Sequence, residues 1–278
     1  MENNLTKLQN NLEELGMCES SRSIAEYLSM ASRGEKSVVD ALYELSEIEI
    51  RAKRERATAG CVRQANFPFR KEMSDFDFSF QPSVSKREME DLAYLGFLEK
   101  AENVIFVGSP GVGKTHLATA IGIAAAKQRV ATYFIACSDL MLQLKRARME
   151  NHLQERLKYF CRYRLLIIDE VGFLPLDAES SNLFFQLISR RYEHTSTIIT
   201  TNKPLAKWGE VFGDPVLASA ILDRLLHHSR VVSIVGRSYR TKDILGQAER
   251  AGDPLGGQDG QGDEAKETKK GTKPQASL

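Results

Sequence analysis

The sequence predicts an α/β protein in which a parallel sheet of five strands is flanked by helices. From residue 103 onward, short apolar runs alternate with helical segments. Runs such as Leu165-Leu166-Ile167-Ile168 are apolar throughout. Strands of this kind are buried on both faces, and when helices connect them they form parallel sheets. The predicted strands are 104–107, 131–136, 165–168, 196–200 and 231–234.

The first hundred residues carry helical patterns and no strand signal. Leu5, Leu8 and Leu12 recur at helical spacing, and Gly16 ends that helix. Further helices are predicted over 21–32, about 37–59 and about 86–94. Proline and turn residues make the aromatic stretch between the last two helices a connector.

We therefore expect four regions along the chain. Residues 1–66 form a helical N-terminal domain, 67–100 a connector and 101–245 the α/β domain. Residues 246–278 are rich in Gly, Asp, Lys and Gln and have almost no large apolar side chains. Such a segment cannot bury enough surface to offset its ordering entropy, so it is predicted to be a disordered tail.

Composition excludes several classes of protein. The 278 residues carry 38 Lys and Arg against 37 Asp and Glu. A net charge this close to zero says nothing about whether the protein binds nucleic acid. No apolar run approaches the roughly 18 residues that a membrane-spanning helix needs, and the N-terminus has no basic start followed by an apolar run, as a secretory signal would. The 4 cysteines are far apart, without a CxxC pair. This pattern argues against a zinc site or a disulfide scaffold and predicts a cytoplasmic protein without a membrane partner.

The first predicted strand leads into a phosphate-binding loop and then into a helix. The loop has the pattern G-x-x-x-x-G-K-[ST] and consists of Gly108, Ser109, Pro110, Gly111, Val112, Gly113, Lys114 and Thr115. Backbone N–H groups of such a loop and the helix N-terminus bind polyphosphate. Lys114 would contact the β and γ phosphates, and the Thr115 hydroxyl would ligate Mg²⁺. The pattern predicts ATP and Mg²⁺ as cofactors.

Polar residues follow two further strands. Asp169 and Glu170 end the third strand, where ligands bind in open α/β sheets. Asp169 would hold Mg²⁺, and Glu170 would polarise the attacking water as a general base. Asn202, after the fourth strand, could orient that water, although Asn at a strand end is also a common turn former. We expect one further strand to lie between the two that carry the phosphate loop and Asp169.

Together these residues resemble the AAA+ ATPases, and within them the clade of IstB and DnaC proteins. The resemblance covers roughly residues 60–245. The phosphate loop and Asp169-Glu170 are general to P-loop ATPases. The blocks 220–227 and 236–240 and the connector Phe76-Asp77-Phe78 are similar to IstB more than to DnaC.

The resemblance implies an ATPase that is completed at a subunit interface of a homo-oligomer. It implies that Arg224 acts as an arginine finger on the γ-phosphate of a neighbour, with Arg191 as a second candidate. Arg240 would contact the nucleotide within its own chain.

Two basic runs are candidates for contact with double-stranded DNA. The first lies in the N-terminal domain, at the predicted end of the third helix, and the second follows the second strand. They are Arg51, Lys53, Arg54 and Arg56, and Lys145, Arg146 and Arg148. Such cations contact DNA phosphates, although a solvated helix face is the alternative. No aromatic stacking platform is evident near the second run, which favours backbone contact over base reading. His227-His228 has no carboxylate or cysteine partner at ligand spacing, which predicts polar packing and no metal site.

The resemblance implies a DNA-binding ATPase that assists a transposase in selecting the target of an insertion sequence. ATP would hold protomers together on DNA, and hydrolysis would dismantle the assembly. A helicase loader similar to DnaC is the alternative within the clade. A small-molecule kinase is the alternative outside it, and would need neither Asn202 nor an interface arginine.

Overall fold

The computed structural model describes residues 3–239, which form one compact unit. Three helices open it: α1 (Asn4–Glu14), α2 (Cys18–Ser32) and α3 (Val38–Gln64). Ile24 of α2 and Ala41 and Leu45 of α3 are buried. The predicted leucine stripe of α1 is only partly covered, since Leu8 is 38% exposed and no residue of α1 is buried.

Helix α3 continues past the predicted end near residue 59 and ends at Gln64. At its start, the Ser37 side chain accepts a hydrogen bond from the N–H of Asp40. The basic run Arg51–Arg56 therefore lies inside the helix and not at its end, which corrects the expectation from sequence. The end of α3 lies against the sheet, because the N–H of Phe134 donates to the carbonyl of Ala65 at 2.8 Å.

The connector packs closely although it contains little regular structure. It includes 3₁₀ turns at Met73–Asp75 and Gly96–Leu98, and between them α4 (Lys86–Ala93). Phe76, Met89 and Phe97 are buried against the α/β part of the chain. The aromatic side chains of this stretch thus belong to the core of the molecule.

The sheet has five parallel strands in the spatial order β2-β3-β4-β1-β5. They are β1 (Asn103–Gly108), β2 (Thr132–Ala136), β3 (Leu165–Val171), β4 (Ser196–Thr201) and β5 (Ser229–Ile234). Every pair of neighbours is parallel, and β4 lies between β1 and β3. This order confirms the predicted sheet and places one strand between the two that carry the phosphate loop and Asp169.

Helices cover both faces of the sheet. They are α5 (Lys114–Lys127), α6 (Cys137–Met149), α7 (Leu153–Cys161), α8 (Ala178–Arg191), α9 (Trp208–Phe212) and α10 (Pro215–Leu226), with a 3₁₀ turn at Leu205–Lys207. Leu166 and Ile168 of β3 pack into the core beneath α6 to α10, whereas Leu165 and Ile167 pack toward α5 and the connector. This alternation explains why the strand is apolar throughout.

Two expectations fall on residues outside the described range: the role of Arg240 and the disordered tail 246–278. Within residues 3–239, no helix has both the length and the apolar character needed to cross a bilayer.

Candidate nucleotide-binding site

The phosphate loop connects the end of β1 to the start of α5. Gly111 and Gly113 have φ angles of +82° and +102°, which favour glycine. A side chain at position 113 would also bring a Cβ within 2.6 Å of the Phe76 ring. Nζ of Lys114 donates to the carbonyls of Gly108 and Ser109 at 2.7 and 2.8 Å. The loop is therefore formed as the motif predicts, and the lysine charge lies inside it.

Asp169 lies at the carboxyl end of β3, next to the first turn of α5. Oγ1 of Thr115 donates to Oδ1 and Oδ2 of Asp169 at 3.0 and 3.1 Å. The carboxylate is buried, and this burial raises its pKa above the ordinary value for aspartate. The hydroxyls of Thr200 and Thr115 and the charge of Lys114 act in the opposite direction. The structure thus brings together the two residues that were predicted to hold Mg²⁺.

Glu170 points away from this buried group because β3 is bulged at its end. Ile168 pairs with Ile199 and Val171 with Thr201, so Asp169 and Glu170 together lie opposite Thr200. Glu170 has a φ of +61°, and its N–H donates to Oγ1 of Thr200 at 2.9 Å. As a result Asp169 is buried, while Glu170 is exposed at the edge where a substrate can reach it.

The sequence places Thr200 in the polar segment that ends the fourth strand but does not indicate what its side chain does. Its hydroxyl donates to Oδ1 of Asp169 and accepts from the N–H of Glu170. The only sequence signal is a threonine at the end of the strand that was expected beside β3. That signal does not show which of Thr200, Thr201 and Asn202 faces the acidic pair.

Asn202 follows β4 directly, between the strands that carry the phosphate loop and Asp169. Its Oδ1 is buried and accepts no hydrogen bond from any residue that the structure describes. An unpaired buried acceptor costs free energy unless water or a ligand pairs with it. This position suits the predicted role of Asn202 in orienting a water molecule.

The residues present fit a magnesium nucleotide. Thr115 and Asp169 offer adjacent oxygen donors, which Mg²⁺ prefers. A buried carboxylate whose pKa is raised gains from a neighbouring cation. The N-terminus of α5 and the glycine loop direct backbone N–H groups toward a polyphosphate.

Arg224 lies on α10, and its contacts lie on α8 and α10. Nη1 donates to the carbonyl of Ala220 at 2.8 Å, and the guanidinium lies 4.8 Å from the centre of the Phe185 ring. The side chain is half-buried. Neither contact involves a residue of the phosphate loop.

Arg191, the second candidate for the interface arginine, is a buried structural residue. It donates to the carbonyls of Phe160, Tyr163 and Ser196 and to the hydroxyl of Thr197. Burial lowers its pKa to about 10. These bonds tie α8 to α7 and β4, so Arg191 cannot reach a neighbouring subunit in this conformation.

The two basic runs differ in their surroundings. Arg51, Lys53 and Arg54 are exposed, and no carboxylate within residues 3–239 forms an ion pair with them. Arg56 pairs with the buried Glu49 at 2.7 Å. At 100° per residue these four side chains point to different sides of α3 and do not form a single stripe.

Each cation of the second run, on α6, faces a carboxylate. The pairs are Lys145–Asp177, Arg146–Glu150 and Arg148–Glu179. Their charge is therefore partly neutralised.

An aromatic cluster that sequence reasoning did not find lies at the end of α7. The ring of Tyr133 on β2 stacks on Tyr163, with 4.9 Å between centroids. The guanidinium of Arg162 lies 4.2 Å from the centre of the Tyr159 ring. Tyr159 and Tyr163 lie four residues apart at the end of α7, whereas Tyr133 comes from β2, so the fold is needed to bring the three rings together.

The strand order determines which polar residues meet at the carboxyl edge of the sheet. It places β4, with Thr200 and Asn202 at its end, between the phosphate loop and the acidic pair. This arrangement defines the molecule as a P-loop nucleotide-binding protein of the AAA+ class. The sequence model described as IstB-like ATP binding protein matches residues 10–246, and the chain belongs to this family.

Known proteins agree with this assignment. The chain is 51% identical over 243 residues to the IS232 insertion-sequence protein of Bacillus thuringiensis subsp. berliner, which is named as ATP-binding, covering 87% of this chain and 97% of that protein. The corresponding IS5376 protein of Geobacillus stearothermophilus is 44% identical, with 85% and 93% covered. The solved structure of AMPPCP-bound DnaA from Aquifex aeolicus superposes with a TM-score of 0.53 at 19% identity, covering 68% of this chain and 58% of that chain. That likeness shows the shared fold.

Proposed function

We propose that this chain is a Mg²⁺-dependent ATPase that oligomerises on double-stranded DNA and assists a transposase in target selection during insertion-sequence transposition. The observation that best supports ATPase activity is that the Thr200 hydroxyl hydrogen-bonds both the Asp169 carboxylate and the Glu170 N–H. The transposition role is supported by family membership and by the names of the insertion-sequence relatives.

The site residues divide the work of phosphoryl transfer. When ATP binds, Nζ of Lys114 releases the carbonyls of Gly108 and Ser109 and donates to the β and γ phosphates instead. Thr115 and Asp169 hold Mg²⁺, which when bound neutralises developing phosphate charge. Glu170 accepts the proton of the attacking water, and Asn202 orients that water with its unpaired Oδ1.

Arg224 completes the site of a neighbouring subunit. Among residues 3–239, its guanidinium is held by one neutral carbonyl and one aromatic ring. These contacts leave other N–H groups of the guanidinium free to donate to a phosphate, because arginine carries five donors. Hydrolysis then depends on assembly, since a cation supplied in trans stabilises the transition state.

The exposed cations of α3 contact DNA. Arg51, Lys53 and Arg54 lack ion pairs within the described residues, so they can bind phosphates without first breaking a salt bridge. Under this proposal residues 1–66 bind DNA or a partner, 67–100 connect, and 101–245 hydrolyse ATP in the cytoplasm.

Nucleotide binding and hydrolysis of matched variants, with and without duplex DNA, test the proposal. Lys114→Ala should lose ATP binding, while Lys127→Ala, at the other end of α5, should keep it. Glu170→Gln should bind ATP and hydrolyse it about 10²–10⁴ times more slowly. Its complexes on duplex DNA should persist, whereas wild-type complexes should disperse when ATP is consumed.

Wild-type affinity in Lys114→Ala or wild-type turnover in Glu170→Gln would refute the site. A protein that hydrolyses ATP but binds a replicative helicase and no transposase would favour the helicase-loader alternative.

A further inference from the structure

Two histidines and a glutamate meet on the surface at the end of α10. His227 and His228 follow the helix, and Glu193 lies in the turn between α8 and β4. Oε1 of Glu193 is 3.6 Å from Nδ1 of His227 and 3.9 Å from Nε2 of His228. Each side chain is about half exposed, with 51%, 53% and 52% of the His227, His228 and Glu193 side chains accessible. The carboxylate partner that the sequence did not reveal is thus supplied by another element of the fold.

The separations are close to those of a metal site. Zinc binds imidazole nitrogen and carboxylate oxygen at about 2.0–2.2 Å, so two ligand atoms of a tetrahedral site lie about 3.3–3.5 Å apart. The two measured separations exceed this by a few tenths of an ångström, and all three ligand atoms lie within 4.8 Å of one another. Because the group spans up to 4.8 Å, the exposed side chains would have to rotate and close a gap of up to about 1.3 Å to bring all three atoms to ligand distance.

The backbone that carries these side chains is held in place. The carbonyl of His228 accepts a hydrogen bond from the N–H of Asn103 at 2.8 Å, at the start of β1. The N–H of Tyr192, beside Glu193, donates to the carbonyl of Ile188 at 2.9 Å. Because both segments are anchored, less entropy is lost when a ligand joins them than two loose loops would lose.

The hydroxyl of Tyr192 lies 2.7 Å from Nδ1 of His227. When the hydroxyl donates, the Nδ1 lone pair of the neutral imidazole is directed at Tyr192 and carries this hydrogen bond. A metal ion would take this lone pair, and the phenol would donate to Glu193 instead. The exposed side of the cluster leaves room for a water molecule as a fourth ligand.

We propose that Glu193, His227 and His228 form a binding site for a divalent transition-metal ion, with Zn²⁺ as the ion of choice. Two imidazoles and a carboxylate with an open fourth position are a ligand set that zinc uses in proteins. The site is separate from the Thr115–Asp169 pair, whose oxygen donors suit Mg²⁺. It therefore stands whether or not the chain hydrolyses ATP.

Metal binding would join two parts of the fold that flank Arg224. His227 is three residues beyond Arg224, and Glu193 lies in the turn that leads into β4. The bound ion would tie the end of α10 to this turn and stabilise the folded state by an amount that grows with the logarithm of metal concentration above the dissociation constant.

Titration of the tag-free full chain with ZnCl₂ tests the proposal, with calorimetry and thermal melting as readouts. We expect one site and an increase in melting temperature of a few degrees at saturation. His228→Ala and Glu193→Gln should each weaken binding at least about tenfold.

His152→Ala is the matched control. Nδ1 of His152 lies 3.6 Å from a carboxylate oxygen of Glu150, but His152 has no second histidine in the metal-ligand groups of residues 3–239. Its removal should leave zinc binding unchanged. Titration with Co²⁺ separates these ligands from the free cysteines, since thiolate ligation produces an intense near-ultraviolet band. Such a band, unchanged affinity in His228→Ala, or no binding tighter than about 100 μM would overturn the assignment.

Discussion

The hydroxyl of Thr200 donates a hydrogen bond to the carboxylate of Asp169 across two neighbouring strands. The same hydroxyl accepts the N–H of Glu170, which the bulge in β3 places opposite Thr200. One side chain of β4 thus fixes both the residue that would hold the metal and the backbone of the residue that would act as the base. Since the hydroxyl makes both contacts, its loss should affect chemistry more than nucleotide binding.

Thr200→Val keeps the shape of the side chain and removes both hydrogen bonds. We expect kcat for ATP hydrolysis to fall about 10–100-fold, with a smaller change in KM, because the phosphate loop is untouched. Thr200→Ser keeps the hydroxyl and should retain most of the activity. Steady-state kinetics of the two variants provide the comparison, and equal kcat in Thr200→Val and wild type would show that Thr200 positions neither acidic residue.

Asp169→Asn should stabilise the nucleotide-free protein while it removes Mg²⁺-dependent activity. Burial raises the pKa of Asp169 in the folded state, so the folded protein binds this proton more tightly than the unfolded chain. The free energy of unfolding therefore falls as pH rises above the unfolded-state pKa of about 3.9. At neutral pH the substitution removes that unfavourable charge.

Thermal melting of the two proteins without nucleotide at several pH values measures this effect. Asp169→Asn should melt a few degrees higher at about pH 7, and the difference should shrink as the pH is lowered and the wild-type carboxylate takes up its proton. A lower melting temperature for Asp169→Asn at neutral pH would show that its hydrogen bonds outweigh its burial.

Arg224→Ala should bind ATP normally and hydrolyse it slowly. An arginine finger supplied in trans is typically worth about 10³–10⁵ in rate. Mixing Arg224→Ala with Lys114→Ala, which supplies Arg224 but cannot bind ATP, should restore activity. If subunits mix at random, about a quarter of the interfaces combine an intact phosphate loop with an intact arginine.

Arg190→Ala is the control for this experiment, because Arg190 is also an arginine near the end of a helix but is exposed and bonded to Gln154. It should remain active alone. Failure of the mixture to exceed the two single variants, while both still assemble, would place Arg224 outside the site of the neighbour.

The two basic runs should differ in their contribution to DNA binding. Replacing Arg51, Lys53 and Arg54 with Gln should weaken binding to duplex DNA and reduce the slope of log K against log salt by about 1–2, since Arg51 and Arg54 share one side of α3 and Lys53 points to another. Replacing Lys145, Arg146 and Arg148 removes the same formal charge, but each of these already faces a carboxylate. That variant should change the slope less.

Fluorescence anisotropy over a range of salt concentrations measures both slopes. If the α6 variant loses more affinity than the α3 variant, the DNA lies against α6, and the exposed cations of α3 are a solvated helix face.

Local sequence patterns were enough to predict the sheet, the phosphate loop and the acidic pair of this protein. The alternation of apolar strands with helices predicted the parallel sheet, because a strand buried on both faces must be apolar throughout. Gly108–Thr115 predicted the phosphate loop, since all its parts are contiguous in the chain. Asp169 and Glu170 were identified because one strand delivers both to the same edge.

Contacts between distant elements were decided by the tertiary structure alone. Only the strand register shows that Thr200 faces the acidic pair, and only packing shows that Arg191 is buried while Arg51 is free. Glu193 reaches His227 from another turn of the chain. The periodicity of apolar residues shows which face of a helix or strand is buried. It does not show which residue of another element that face contacts, because this depends on how the whole core packs.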